Sequence, residues 1–345
     1  MEELLKRLSD LRGISGYEYR LTNEIANLFG PYTDEISFDS LGSVIAVKRS
    51  KVKEPKKIMI EAHCDEIGLM VQDIDDRGFI SFVNIGGVDP RVLPAAEVIV
   101  HGRVDLPGVI GAKPPHLMKA GEQDKAAKLR DMAVDVGMTG AGGREFVSVG
   151  DSITLAQSVG SLTNGRFSGK TLDDRAGVAV LLEVMRKLEK DPGADVYAVI
   201  AVQEEVGCRG AKTAAYGILP DVAIAVDVCH GITPDNSENA FEIGSGTVIS
   251  VGPNLHPNMS GRLTDLAEKY EIPYSIDVDG GNTGTDAWTI QVARTGIATG
   301  LLSIPLRYMH TSVETIDMRD VQATADLIGK FIADFDMDLE GWLCY

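Results

Sequence analysis

No apolar run in the 345 residues approaches the ~18 that a helix needs to cross a bilayer, so a membrane-spanning reading is excluded. The opening MEELLKRLSD is charged and amphipathic where a secretory leader would be apolar, which points to a cytoplasmic protein. Cysteine is scarce: Cys64, Cys208, Cys229 and Cys344 form no CxxC pair, and a chain of this length needs no disulfide staples, so reduced thiols are expected. Lysine and arginine number 33 against 51 aspartates and glutamates, a net charge of -18 that repels phosphate backbones and excludes nucleic acid as a partner. That charge chiefly serves solubility and names no substrate. Aromatic residues make up only 6%, which leaves little surface for stacking sugars. No GxGxxG or P-loop lies between a strand and a helix, and the glycine-rich DVDGGNTGTDA lacks the GK[ST] ending of a phosphate loop.

What is present divides into two textures. Helical spacing recurs in MEELLKRLSDL and YRLTNEIANLF, with Gly13 and Gly16 breaking between them. Short extended runs follow: SVIAVKR, KKIMIEAH and the alternating GLMVQDID. Over residues 73–160 the runs FISFVNI, EVIVHGRV, GVIGA and SITLA are separated by Gly, Pro and Asp, with one helix-like interruption at 125–130. This predicts a small β-barrel or sandwich inserted into a larger unit made of 1–72 and 161–345. In the larger unit the strands DVYAVIAVQ, DVAIAVDV and GIATGLLSI alternate with helices in AGVAVLLEVMRKLEK, GRLTDLAEKY and VQATADLIGKFIADF. The expected class is therefore α/β, a sheet covered by helices on both faces.

Ligands of such sheets bind at the C-terminal ends of the strands. His63 and Asp65 end one predicted strand, Glu204 and Glu205 a second, and Asp227 a third, while His310 follows a fourth. Asp173 and Asp174 stand just before a long helix. Carboxylates beside buried strands are costly unless neutralised, so their convergence points to a cation. Two imidazoles with three carboxylates suit zinc, cobalt or manganese better than calcium or magnesium. Two neighbouring ions need a bridging carboxylate, and either Asp173 or Asp174 qualifies by residue type. Asp65, two residues beyond His63, is placed to accept its other imidazole N–H. Adjacent Glu204 and Glu205 diverge from a strand end, so one can ligate while the other takes a proton from water.

These residues also carry a family resemblance. AHCDEIG, GGVDPRVLP, GVIGAKPPH, TLDDRAG, VQEEVGCRGA, AVDV, GPNLHP and GTDAWTIQVARTGIATGLLSIPLRYMHTSVE run in one order across nearly the whole chain. Together they resemble the tetrahedral and glutamyl aminopeptidases, co-catalytic zinc exopeptidases that remove N-terminal residues from peptides. The resemblance implies two divalent metal ions per chain, one held by His63, Asp173 and Asp227 and the other by Asp173, Glu205 and His310. Asp173 would bridge them, Glu204 would be the general base and Asp65 would orient His63. It further implies a mixed-sheet peptidase domain, a β-barrel used for dimerisation, and a homo-oligomer, a dodecamer built from dimers. One departure is LPAAEV, where relatives carry glycine and glutamine after the proline.

The remaining candidates have plainer readings. His101 and His116 read as barrel residues, His230 as a neighbour of Asp227, and His256 as a cleft or structural residue. Asp286 reads as a helix N-cap, with a substrate contact as the alternative. Cys64, Cys208 and Cys229 lie close to proposed ligands, but their irregular offsets favour packing over a thiolate zinc site. Two other functions stay open at this stage. A glycoside hydrolase would need paired carboxyls flanking the scissile bond and usually no metal, whereas these carboxylates arrive with histidines at strand ends. An assembly protein with structural metals would have closed, four-coordinate sites, whereas five ligands plus a free glutamate describe an open one.

Overall fold

The strand Lys57–His63 has Ile58, Met59, Ile60 and Ala62 fully buried, because it runs through the middle of an eight-stranded sheet with helices on both sides. Its parallel neighbours are Asp195–Ala201 on one side and Val222–His230 on the other, with Ala298–Leu306 parallel beyond the latter. The antiparallel pair Glu35–Phe38 and Val44–Lys48 closes one edge. At the other edge Thr247–Val251 runs antiparallel to Ala298–Leu306, and Tyr274–Val278 is outermost. The computed structural model describes all residues except 119–120, 122–126, 189–191, 336 and 344–345.

One sheet face packs on Glu2–Asp10, Tyr19–Phe29, Leu172–Lys187, Pro257–Lys269 and Met318–Ala333 through residues such as Leu5, Ile25, Leu181, Leu263 and Leu327. The helix Leu172–Lys187 is buried almost all round, which its nearly unbroken apolar sequence AGVAVLLEVM requires. Met318–Ala333 begins at Asp317, whose carboxylate accepts from the Arg319 N–H at 3.0 Å. The other face is covered by Arg209–Ile218 and Ala287–Ile290, through Ala211, Ala214, Ile218 and Ile290.

Between Gly68 and Leu155 the chain leaves this sheet and forms a closed barrel. Its strands lie in the order Gly68–Ile74, Ile80–Ile85, Val134–Asp135, Asp105–Ile110, Glu97–His101, Ser152–Leu155. Closure gives it a core of its own, including Leu69, Val71, Phe82, Val98, Val100 and Ile153, and removes free sheet edges. The fold is thus mixed α/β with an inserted barrel, as expected.

Details differ from the sequence reading. Residues 125–126 of the expected helix-like interruption lie outside the described residues, and Leu129–Asp131 is a single 3₁₀ turn. The barrel's α-helix is Gly140–Phe146, whose three glycines argue against a helix by propensity. Packing decides instead: a Cβ on Gly140 would meet the Asp75 carbonyl at 2.3 Å, and Arg144 donates to the Ile74 carbonyl at 2.6 Å. Ala95, in LPAAEV, sits at φ 72, a left-handed conformation that favours glycine.

A buried charge cluster fixes the elements that carry the site. Arg175 donates to the carbonyls of Leu8 at 2.6 Å and Cys64 at 3.1 Å, to that of Leu11, and to Glu66 at 3.1 Å. Lys170 donates to the other Glu66 oxygen at 2.6 Å. The N-terminal helix, the chain beyond His63 and the turn before Asp173 are thereby bound to one another.

Candidate metal centre

The parallel register brings the strand ends together. Ala201 is paired with His63, and the last pair joining Val222–His230 to Lys57–His63 is Ala225 with Glu61. Asp227 and His63 each lie two residues further on. His63, Asp173 and Asp227 each offer a ligand atom within 4.8 Å of the others, as do Asp173, Glu205 and His310. Asp173 belongs to both triplets: its Oδ1 lies 3.1 Å from His63 Nε2 and its Oδ2 lies 3.3 Å from His310 Nε2. His310 Nε2 is also 3.2 Å from Glu205 Oε1.

The backbone is strained where it delivers these groups. Thr171, Gln203, Cys208 and His310 all have left-handed φ, between 53 and 64, at a cost of about 1–3 kcal/mol each for a non-glycine residue. Buried acids hold the turns in place. Glu314 accepts from the His310 N–H at 3.0 Å and from the Asp173 N–H at 3.2 Å, so one carboxyl braces both backbones. Asp65 accepts from the N–H groups of Glu204 at 3.0 Å and Glu205 at 3.2 Å, and from the Ser15 hydroxyl. Its Oδ1 lies 3.6 Å from His63 Nδ1, beyond an ordinary hydrogen bond.

The barrel also reaches the site. The Gly87 carbonyl lies 3.2 Å from His310 Nδ1, and a Cβ on Gly87 would come within 2.6 Å of that nitrogen. Only glycine permits that approach.

Electrostatically the cluster lacks positive charge. Burial opposes protonation of His310, yet Asp173 and Glu205 raise it to about 11. Burial likewise opposes protonation of His63, and Asp173 and Asp65 hold it well above its ordinary value. Asp173 is lowered despite burial, by His310 and His63. Asp227 is raised by burial and then by Asp174 and Asp173. Within the two triplets the imidazolium protons are thus the counter-charge for the carboxylates, and two nitrogens with three carboxylates form the donor set of a borderline divalent ion. The residues fit a metal.

Glu204 borders the same cleft, a cavity of about 350 Å³ that also meets His63, Asp227, Trp288 and His310. Burial raises its carboxyl to about 8, with Asp286, Glu205 and Asp65 adding to the rise and His63 opposing it. The Cys208 thiol donates to Glu204 Oε1 at 3.2 Å.

Behind the Glu204–Glu205 turn, Glu18 is 4% exposed and accepts from the Gln203 N–H at 3.0 Å and the Gly16 N–H at 2.7 Å. Burial, then Asp65, raises its carboxyl from 4.5 to about 7. Between those values the folded chain holds more protons than the unfolded one, so this contribution is complete below pH 4.5 and lost as pH rises through 7. Glu18→Gln keeps an oxygen for both N–H groups and cannot ionise. Denaturant unfolding should show the variant gaining about 3 kcal/mol relative to wild type across that window. A difference that stays flat with pH would contradict it.

Two expectations need correction. Asp286 occupies the N-cap position of Ala287–Ile290, but its side chain caps nothing. Its carboxyl is buried and turned away from the helix, where it pairs with the buried carboxyl of Glu61. Its helical backbone, φ -60 and ψ -24, differs from the extended geometry that lets an N-cap carboxylate reach its helix. Cys208 is buried as expected but is not merely packing, since it touches Glu204.

Cys64 lies in the core, Cys229 is half-buried and Cys344 falls outside the described residues. His101 lies 2.9 Å from Thr154 within the barrel, His116 is exposed, and His230 is exposed at the end of its strand. His256 begins the Pro257 helix and lies outside the cleft lining. Glu314, Gly87, Glu18 and Cys208 received no role from the sequence. Glu314 and Gly87 did lie within the quoted segments HTSVE and GGVDPRVLP, which was the available signal.

The sequence profile of the M42 glutamyl aminopeptidases matches residues 42–327. The lysyl aminopeptidase of Pyrococcus furiosus is 39% identical over 332 residues, 94% of either chain. A TET aminopeptidase from the marine sediment archaeon Thaumarchaeota archaeon SCGC AB-539-E09 superposes with a TM-score of 0.93 at 31% identity, covering 99% of this chain and 98% of that one. The Pyrococcus horikoshii TET1 peptidase, which can assemble into a tetrahedron or a large octahedral shell, superposes at 0.86 with 31% identity, covering 97% and 99%.

Proposed function

The chain belongs to the M42 glutamyl aminopeptidase family and is an aminopeptidase, and on that premise we propose that it is a dinuclear metallo-enzyme with Glu204 as general base. The observation carrying this reading is the pair of triplets that share Asp173 beside a carboxylate belonging to neither. His63, Asp173 and Asp227 would hold one divalent ion and Asp173, Glu205 and His310 the other, with zinc, cobalt or manganese suited to the donors. When bound, such ions supply Lewis acidity, drawing the pKa of water toward neutrality and polarising a peptide carbonyl.

The protein's own groups do the rest. Glu204 accepts the proton of the attacking water and later returns it to the departing amine nitrogen. Cys208 fixes one Glu204 oxygen and leaves the other for water. Asp65, holding the backbone N–H groups of Glu204 and Glu205, keeps ligand and base diverging and orients His63 electrostatically. Glu314 does the same for Asp173 and His310.

The likeness to shell-forming relatives supports a homo-oligomer, a dodecamer built from dimers with the barrel as the dimerisation domain. Among the described residues no helix is long and apolar enough to cross a membrane, and a cytoplasmic location is part of this proposal. The test is release of N-terminal amino acids from unblocked peptides. Release should stop with chelator, resume with zinc, cobalt or manganese, and fail on N-acetylated peptides. Chelator-resistant release, or cleavage of blocked peptides, would refute it.

A further inference from the structure

Beside the metal centre, and sharing Asp227 and Gly284 with the cleft, lies a second cavity of about 480 Å³. It runs toward the sheet edge. Tyr274–Val278 is three strand positions from Val222–His230, roughly 14 Å at about 4.8 Å per strand. The cavity wall is apolar near its middle, with Val228, Leu301 and Met309, and acidic at the edge, with Asp277 and Asp279. No lysine or arginine lines it. Asp279 spends one oxygen on the Gly281 N–H at 2.8 Å and keeps the other. Burial and the nearby Asp279 raise the Asp277 carboxyl, and His230 is the imidazole of the lining.

A substrate whose first carbonyl lies at the metal centre must put its first side chain into an adjoining space. The second cavity adjoins that position through Asp227 and Gly284, and its acidic end lies on the outermost strand of the sheet. We infer that this cavity receives the N-terminal residue's side chain and that Asp277 and Asp279 select a long basic one, lysine or arginine. The inference rests on the hydrolase reading above. Family membership does not decide it, because members are named for substrates of opposite charge. The methylene stem lies along the apolar wall while the charged head meets two carboxylates, the arrangement such amphipathic side chains favour.

The test is kcat/KM on aminoacyl amides of lysine, arginine, leucine and glutamate with the metal-loaded enzyme. Lysine and arginine should exceed leucine by about tenfold or more, and glutamate by about a hundredfold, tenfold being 1.4 kcal/mol of selectivity. Asp277→Asn and Asp279→Asn each keep the side-chain shape, and the second keeps an acceptor for Gly281. Each should lower the lysine-to-leucine ratio about threefold, and the double variant should bring it near one. Asp277→Lys should raise the glutamate-to-leucine ratio. Hydrolysis led by leucine or glutamate, or a ratio unmoved in the double variant, overturns the pocket assignment alone. Failure of all four substrates overturns the hydrolase reading and this inference with it.

Discussion

Glu204→Gln should lower kcat by about 10²–10⁴-fold, the usual contribution of a positioned general base, while fold and metal content stay as in wild type. The substitution is nearly isosteric. It keeps the oxygen that accepts the Cys208 thiol at 3.2 Å and the backbone N–H that Asp65 holds at 3.0 Å. Only the capacity to take a proton is removed. The neighbouring Glu205, 3.2 Å from His310, is committed elsewhere and cannot substitute. Steady-state kinetics, metal analysis and thermal unfolding on the same preparation separate these effects. Wild-type turnover would remove Glu204 from the mechanism.

Asp173→Ala should abolish both metal binding and activity. It is the one residue common to the two triplets, with one oxygen toward His63 and the other toward His310. Its loss leaves two ligands at each position, below the three protein ligands of a catalytic zinc site. Asp227→Ala, by contrast, touches one triplet and should leave one ion bound. Metal content per chain after dialysis distinguishes the outcomes: none for the first variant, one for the second. Two ions retained by Asp173→Ala would show that the bridge lies elsewhere.

The parts of this account readable from sequence are those with a local signal. Strand ends marked by His63, Glu205 and Asp227 were legible because an apolar run stops at a charged residue, and parallel register then aligns those ends. The barrel was legible from its closely spaced short strands. The outer strands have weaker signals: Thr247–Val251 is buried but short and broken by polar Thr247 and Ser250, and Tyr274–Val278 is half-exposed. The helix Gly140–Phe146 was hidden because contacts with the Asp75 turn, distant in sequence, override its composition.

Within the site, residue type could not choose between Asp173 and Asp174. The structure separates them: Asp173 lies between two imidazoles, whereas Asp174 is fully buried and accepts from the Gly177 N–H at 3.0 Å. Bracing by Glu314 and the approach of Gly87 join segments that only the folded chain brings together. Asp286 shows the opposite error, where a motif-like position before a helix suggested a cap and the backbone turned the carboxyl inward beside Glu61.

The most direct measurement is anomalous diffraction from crystals of the protein loaded with zinc, recorded on both sides of the zinc edge. Two peaks are expected, one between His63, Asp173 and Asp227 and the other between Asp173, Glu205 and His310, with Glu204 bound to neither. A single peak, or peaks away from Asp173, would contradict it.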